Sequence, residues 1–249
     1  MMLLCRGVGV WVWLALLLAL PVRAGVVVGS TRVVFPGDAE EVTLRLSNQG
    51  ERPSLVEAWV DDGDLHSTPD NAHAPFLVTP PLFRMDAGKD QSLRIFTMPH
   101  VFAADRESMF WLNVLEIPPK PRAMERGVNF LQFAVRSRLK LFYRPAGLHG
   151  DPAAAPTRLR WRRAGGGDPG DSPMLELVNP TPYFVTLIKV VALAGGRTYT
   201  GDTDMVAPFG HLRLALAGLS SWPAGVMRIE FETVNDYGAA VSGKAEIGP

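Results

Sequence analysis

The sequence predicts an all-β protein of two sandwich domains, on three observations. From Val26 onward, short runs rich in Val and Thr alternate apolar and polar residues and are broken by Gly and Pro at turn-bounded spacing, the signature of β-sandwiches. Beyond residue 24 no stretch of convincing length carries the helical period of about 3.6 residues. After Pro145 the composition shifts to Gly147, Gly150, Pro152, three alanines and Pro156, which reads as an interdomain connection. The 249 residues leave room for two domains of about a hundred residues each, both able to bury a core.

Residues 1–24 stand apart. Arg6, an apolar run over 8–20, Pro21 and then Val22, Arg23 and Ala24 have the layout of a secretory signal peptide, with cleavage expected after Ala24. The run is shorter than the about twenty apolar residues that span a bilayer, and no later segment is apolar enough, so stable membrane insertion is not expected. Cys5, the only cysteine, lies inside this signal. Disulfide, zinc-thiolate and cysteine-nucleophile chemistry are thereby excluded from the exported chain. Formal charge is balanced, 25 basic against 25 acidic residues, and predicts no nucleic-acid partner.

The first domain, 25–146, begins with strands over 31–35 and 41–47. Val42, Leu44 and Leu46 face one way and Thr43, Arg45 and Ser47 the other. Pro36, Gly37 and Asp38 make the turn between them. A third strand over 54–60 ends at Asp61, Asp62, Gly63 and Asp64, read as a solvated turn. A polar loop over 66–74 follows, then strands over 76–78, 82–85 and 93–96, the first two separated by Pro80 and Pro81. The mostly apolar run over 107–117 has the composition of a central strand. A loop over 118–127, rich in Pro and Arg, leads into the stretch that organises the chain.

That stretch, 128–145, reads VNFLQFAVRSRLKLFYRP. Leu131, Phe133, Val135, Ser137, Leu139, Leu141 and Tyr143 alternate with Gln132, Ala134, Arg136, Arg138, Lys140 and Arg144. The period of two predicts one long strand with an apolar and a basic side. It exceeds the usual strand of about five or six residues, and its apolar row must be covered, which a partner chain could do. Pro145 cannot donate to a central ladder and suits a domain exit. The second domain, 147–249, shows strands over 159–162, 174–178, 183–193, 197–199, 212–216 and 227–234.

Motifs for catalysis do not hold up. Gly165 to Gly170 matches G-x-G-x-x-G, but Pro169, Pro173 and a strand follow where a dinucleotide fingerprint needs a helix, so a hairpin loop is the better reading. Asp61, Asp62 and Asp64 lack the further ligands of a calcium loop. His66, His73, His100, His149 and His211 are scattered without metal-ligand pairing. Ser220 and Ser221 sit in no G-x-S-x-G. Arg158, Arg160, Arg162 and Arg163 interleave with Leu159 and Trp161, as a strand with one solvated basic face does. No enzyme activity, metal or cofactor is expected.

The stretch 128–145, preceded by DRESMFWLNVLEIPPKP from Asp105 and followed by NPTPYFVTL and VNDYG, resembles the PapD-like family of periplasmic pilus-assembly chaperones. Four motifs occur in the family's order over essentially the whole exported chain. The resemblance implies two immunoglobulin-like domains in a boomerang arrangement and a cis X-Pro bond at Pro80 or Pro81. It also implies a periplasmic chaperone that binds pilus or fimbrial subunits by donor-strand complementation and delivers them to an outer-membrane usher. The short 118–127 loop and the missing cysteine pair imply the short-loop subclass.

On this resemblance, Thr31, Arg32 and Lys140 match the residues that anchor a subunit's C-terminal carboxylate. A guanidinium, an ammonium and a hydroxyl are suitable donors to that group. Leu131, Phe133 and Val135 match the apolar row that fills a subunit's incomplete groove. Glu107, Arg144 and Asp236 match a buried ion-pair network between the domains, which would fix the domain angle more than add stability. Read from the residues alone, Arg32 and Lys140 are surface charges and Leu131, Phe133 and Val135 a sandwich core. Lys140 has the opposite parity from the apolar row, so a strong twist or bulge near Ser137 is expected if all face one ligand. The alternative is an immunoglobulin-like adhesin or pilus component. Such a protein would lack a strand and carry an N-terminal donor extension, whereas here the first strand starts near the cleavage site. A secreted hydrolase would need a convergent acid, base or metal set.

Overall fold

The computed structural model describes residues 25–120, 131–165 and 172–248. The chain builds two β-sandwiches with separate cores. In the first, one sheet orders β1 (Val26–Val28), β3 (Glu41–Asn48), β7 (Asp90–Thr97) and β5 (Phe76–Thr79). The facing sheet orders β2 (Arg32–Pro36), β9 (Val135–Arg144), β8 (Ser108–Ile117), β4 (Ser54–Asp61) and β6 (Leu82–Met85). The opening segment changes sheets at residues 29–31: β1 runs antiparallel to β3, whereas β2 runs parallel to β9. β5 and β6 also belong to different sheets, and the Thr79–Pro80 bond between them is cis.

Period-two patterning explains the core. Along β3, Leu44 and Leu46 are buried and Thr43 and Arg45 are exposed. Phe35, Leu46, Leu93, Ile95, Leu112 and Leu141 close the space between the sheets with no accessible surface. Loss of water from such side chains stabilises by about 1.5–3 kcal/mol each.

A 3-10 helix over Pro152–Arg158, capped by Asp151, leads into the second sandwich. One sheet orders β10 (Arg160–Ala164), β11 (Met174–Val178) and β15 (His211–Ala215). The other orders β13 (Arg197–Gly201), β12 (Val185–Ala194), β16 (Met227–Val234) and β17 (Ala240–Ile247), with β14 (Met205–Val206) also on β12. Leu175, Leu177, Val190, Leu214, Met227 and Ile229 form its fully buried centre. Among the described residues no helix is long and apolar enough to cross a membrane.

The organising stretch differs from its expected single strand. Its ladder begins only at Val135, residues 131–134 lie outside any strand, and 128–130 fall outside the described residues. The physical reason is the neighbour: β8 ends at Ile117, one residue past the Glu116–Val135 pair, so nothing on that side can continue the ladder. Pairing from Ser108–Tyr143 to Glu116–Val135 proceeds without a register shift, so the expected bulge near Ser137 does not occur.

Candidate functional site

β9 is paired on one side along its whole length and on the other along only half. β8 covers Val135 to Tyr143, but β2 reaches only from Lys140, opposite Arg32, to Arg144, opposite Pro36. Residues 135–139 therefore present an open backbone edge, with hydrogen-bonding groups that can template another strand. Leu139 and Leu141 point into the core, whereas Val135 at the start of β9, and Phe133 and Leu131 in the segment before it, are 56%, 67% and 79% exposed. The apolar row is thus core at one end and surface at the other, and Lys140 belongs to the opposite face without any bulge. An extended segment laid on the open edge parallel to β9, in the line of β2, would end head-on at Arg32.

Arg32 is not the surface charge its sequence context suggests. It is only 9% exposed, because Phe142, 5.8 Å from its guanidinium carbon, and the second domain's β16 enclose it. Its Nη1 donates to the Val234 carbonyl at 3.0 Å, while its buried Nε has no partner among the described residues. Burial lowers its pKa, against the opposing fields of Asp236 and Glu107. Lys140 is half-buried beside Trp111, with Nζ 5.9 Å from the ring. Burial first, and then the charge of Arg32, hold its pKa below the ordinary lysine range, while Asp204 acts in the other direction. Thr31 is exposed at the start of β2. Its hydroxyl lies so close to Gly238 of the β16–β17 turn that a Cβ there would collide with it, and Gly238 has a φ of +82°.

The structure also brings Glu107, Arg144 and Asp236 together. Arg144 donates Nε to Glu107 at 2.7 Å and both terminal nitrogens to Asp236 at 2.7 and 3.0 Å. Glu107 accepts the Phe184 amide at 2.8 Å, and its own amide donates to the Pro182 carbonyl at 3.0 Å. The fork of Arg144 thus bridges acids from the two domains. Glu107 is buried and its pKa is raised by that burial, which the cation and the amide only partly offset. Asp236 is not fully buried, since 37% of its side chain remains exposed. A cavity of about 330 Å³ runs beside this network, walled by Arg32, Phe142, Phe184, Val234 and Tyr237.

Sequence reasoning missed Asp61. Far from a solvated turn, its side chain has no accessible surface. It accepts the Gly63 amide at 2.8 Å, Ser67 Oγ at 2.6 Å and Asn113 Nδ2 at 2.7 Å, together with Arg138 at 2.7 Å and Arg136 at 3.3 Å. Burial works against its charge, but these donors outweigh it and hold its pKa below the usual aspartate value. The signal in the sequence was the pair Arg136 and Arg138, two cations that share the face of the strand opposite Leu139 and Leu141 and can meet one acid of a neighbouring strand there. Of the other candidates, Arg162 pairs with Glu176, and Arg213 Nε lies 3.4 Å from the same carboxylate. Residues 166–170 of the Gly-rich loop lie outside the described residues, and among those described no three His, Cys, Asp or Glu side chains converge on a metal site.

Two sandwiches, joined by a bridging arginine and carrying an open, partly apolar strand edge that ends at two cations, define a two-domain β protein with a strand-receiving edge. Residues 25–149 match the PapD N-terminal domain of pili and flagellar-assembly chaperones, and 154–245 match the C-terminal domain of the pili assembly chaperone PapD. The chain belongs to this PapD-like family of pilus-assembly chaperones, and its sandwiches are immunoglobulin-like. It is 40% identical over 227 residues to the probable fimbrial chaperone YadV of Escherichia coli K12, covering 90% of each chain. The YadV crystal structure superimposes with a TM-score of 0.75, covering 90% of this chain and 100% of that one. Chaperone protein FimB/FhaD of Bordetella pertussis is 41% identical over 238 residues, covering 92% of this chain and 91% of that one. A chain in the structure of the Salmonella enterica SafA pilin with the SafB chaperone is 29% identical, with a TM-score of 0.71, covering 93% of this chain and 99% of that one.

Proposed function

We propose that the protein is a periplasmic chaperone that captures pilus subunits by β-augmentation and hands them to an outer-membrane usher. The subunit's C-terminal strand adds to the open edge of β9, and Leu131, Phe133 and Val135 fill the groove that the subunit leaves open. The observation that carries the proposal is the open edge itself, bounded by two cations at one end and by exposed apolar side chains at the other. The open edge of β9 stops where the parallel β2 strand begins, at the Arg32–Lys140 pair, and the exposed apolar residues Val135, Phe133 and Leu131 lie at its other end. A strand running parallel to β9 in the line of β2 arrives there with its carboxylate, and Thr31, Arg32 and Lys140 donate to it. A buried and a half-buried cation without a bound acid gain most from an arriving anion, because their repulsion is then compensated.

Arg144, Glu107 and Asp236 hold the second domain against this cleft. The work is binding and handover, with no bond made or broken. Export follows from the signal peptide of residues 1–24, and the shared ancestry with fimbrial chaperones supports the periplasmic site of action.

The test uses a fluorescent peptide of about nine residues that alternates Val and Ser, matched to 131–139 at about 3.3 Å per residue. Its free-acid form should bind at least about tenfold more tightly than its C-terminal amide, because the amide loses charge-assisted bonds. Equal affinity for the two forms, or no binding by either, overturns the proposal.

A further inference from the structure

The open half of β9 poses a physical problem. A strand paired on one side only, with an apolar row facing solvent, should fray or pair with the wrong chain. Here its even-numbered side is clamped instead. Arg136 and Arg138 reach across the sheet to one fully buried carboxylate, Asp61, at the end of β4. Asn113 on β8 sits between them: its Oδ1 accepts Arg136 Nε at 2.9 Å and Arg138 Nε at 3.1 Å, while its Nδ2 donates to Asp61. Arg136 also donates to Ser67 Oγ at 2.9 Å and to the Leu65 carbonyl at 3.0 Å, which ties the strand to the turn that follows β4. Trp59 and Trp111 cover the two guanidinium groups, each ring centre 4.8 Å away.

We infer that Asp61 is a positioning residue for strand donation: through Arg136 and Arg138 it holds residues 135–139 extended on β8, so that the edge and the row leading to Phe133 are preorganised before a subunit arrives. The inference rests on the strand-donation proposal above, and it assigns to Asp61 a role separate from that of the carboxylate anchor. Asp61 touches neither the open edge nor Lys140. It acts on where the strand lies, and preorganisation raises affinity by removing an ordering cost at the moment of binding. The arrangement also keeps both arginine heads off the open edge, leaving its backbone groups free for an incoming strand.

The test compares Asp61→Asn with the parent in the full exported chain. Native-state amide exchange at Val135 to Leu139 should accelerate about tenfold or more, while β7 and the second domain exchange as in the parent. The free-acid Val/Ser peptide should bind about tenfold more weakly, with the ratio between acid and amide forms retained because the anchor is intact. Unchanged exchange at 135–139 would mean that Asp61 does not hold the strand, and acceleration shared uniformly by the whole first domain would mean that it supports the fold at large, so either result overturns the inference. Should Asp61→Asn fail to fold, the Arg136→Gln and Arg138→Gln double variant removes the clamp from the other side and carries the same expectations. Absence of peptide binding by the parent overturns strand donation itself, and the role of Asp61 with it. Parent binding together with an unaltered variant overturns the role of Asp61 alone.

Discussion

Arg32 and Lys140 are register partners across the parallel ladder of β2 and β9, two cations side by side with no salt bridge among the described residues. Each is shielded from water, Arg32 by the second domain and Lys140 by Trp111, so their mutual repulsion is poorly screened. Acids are near but act at a distance: Glu107 and Asp236 face Arg32, and Asp204 of the second domain acts on Lys140. The repulsion between the two cations weakens the free protein, although Arg32 also donates to the Val234 carbonyl, and on the proposed function an arriving anion would relieve it.

Lys140→Met should therefore stabilise the fold and abolish capture. Burial and Arg32 lower the lysine's folded pKa below its ordinary 10.5, so the folded state binds this proton less tightly than the unfolded chain. The resulting penalty is fully present below the folded pKa and is lost as pH rises through it towards 10.5. The variant's thermal midpoint should match or exceed the parent's at about pH 7, the gap should close in alkali, and free-acid peptide binding should fall about tenfold or more. Arg32→Ala should behave differently, losing about 1–3 kcal/mol because the Val234 carbonyl is left without its donor. A lower midpoint with intact capture in Lys140→Met would refute the assignment.

Arg144→Ala should cost about 3–5 kcal/mol at neutral pH, because it strands the Glu107 carboxylate in a buried site. Asp236 adds little to that loss, being partly solvated. The deficit should depend on pH in one direction. Glu107 already has a raised pKa, so its ionised form weakens the fold above that pKa and the weakening is relieved as pH falls. Without Arg144 its pKa rises further, so the gap to the parent should narrow on acidification through the carboxylate range. Urea denaturation at neutral and mildly acidic pH measures it, and a gap that widens in acid would exclude this account.

Export should leave Gly25 as the first residue. Gly25 lies against the Glu116 carboxylate, where a Cβ would collide, and the next amide, Val26 N–H, donates to that carboxylate at 2.9 Å. Intact-mass measurement of the exported protein decides it. A chain that retains residues 1–24 contradicts the expected cleavage.

Most of the architecture was legible because period-two burial writes itself into strands such as β3, β7 and β16, where apolar residues face a core at alternate positions. β17 escaped notice for the converse reason. Seven of its eight residues, AVSGKAE, lie at the surface or only partly covered, and Ile247 alone is buried, so it carries no apolar rhythm. The anchor and the domain bridge were legible only through resemblance, since Arg32 and Lys140, or Glu107, Arg144 and Asp236, are far apart in sequence and no local pattern joins them. Asp61 was misread because a D-D-G-D run has turn composition whether or not one carboxylate points inward. Parity alone also could not separate core from surface along the organising stretch, since Leu141 and Phe133 share a parity but only Leu141 lies in a strand covered by a second sheet.

That last ambiguity sets the decisive comparison. Phe133 is 67% exposed whereas Phe35, in the same sandwich, has no accessible surface. Phe35→Ser removes a packed aromatic and should cost about 3–5 kcal/mol. Phe133→Ser removes a side chain that is mostly exposed in the free protein, and its stability should stay within about 0.5 kcal/mol of the parent. If Phe133 is buried only against a captured strand, its loss should forfeit about 2 kcal/mol of binding, roughly thirtyfold in affinity. A subunit or long peptide that reaches past Val135 is the necessary probe, because a shorter one never meets this side chain. Thermal midpoints and titrations of both variants separate the possibilities. A midpoint for Phe133→Ser as low as that of Phe35→Ser would mean that the row is core throughout and that no apolar donor exists on this strand.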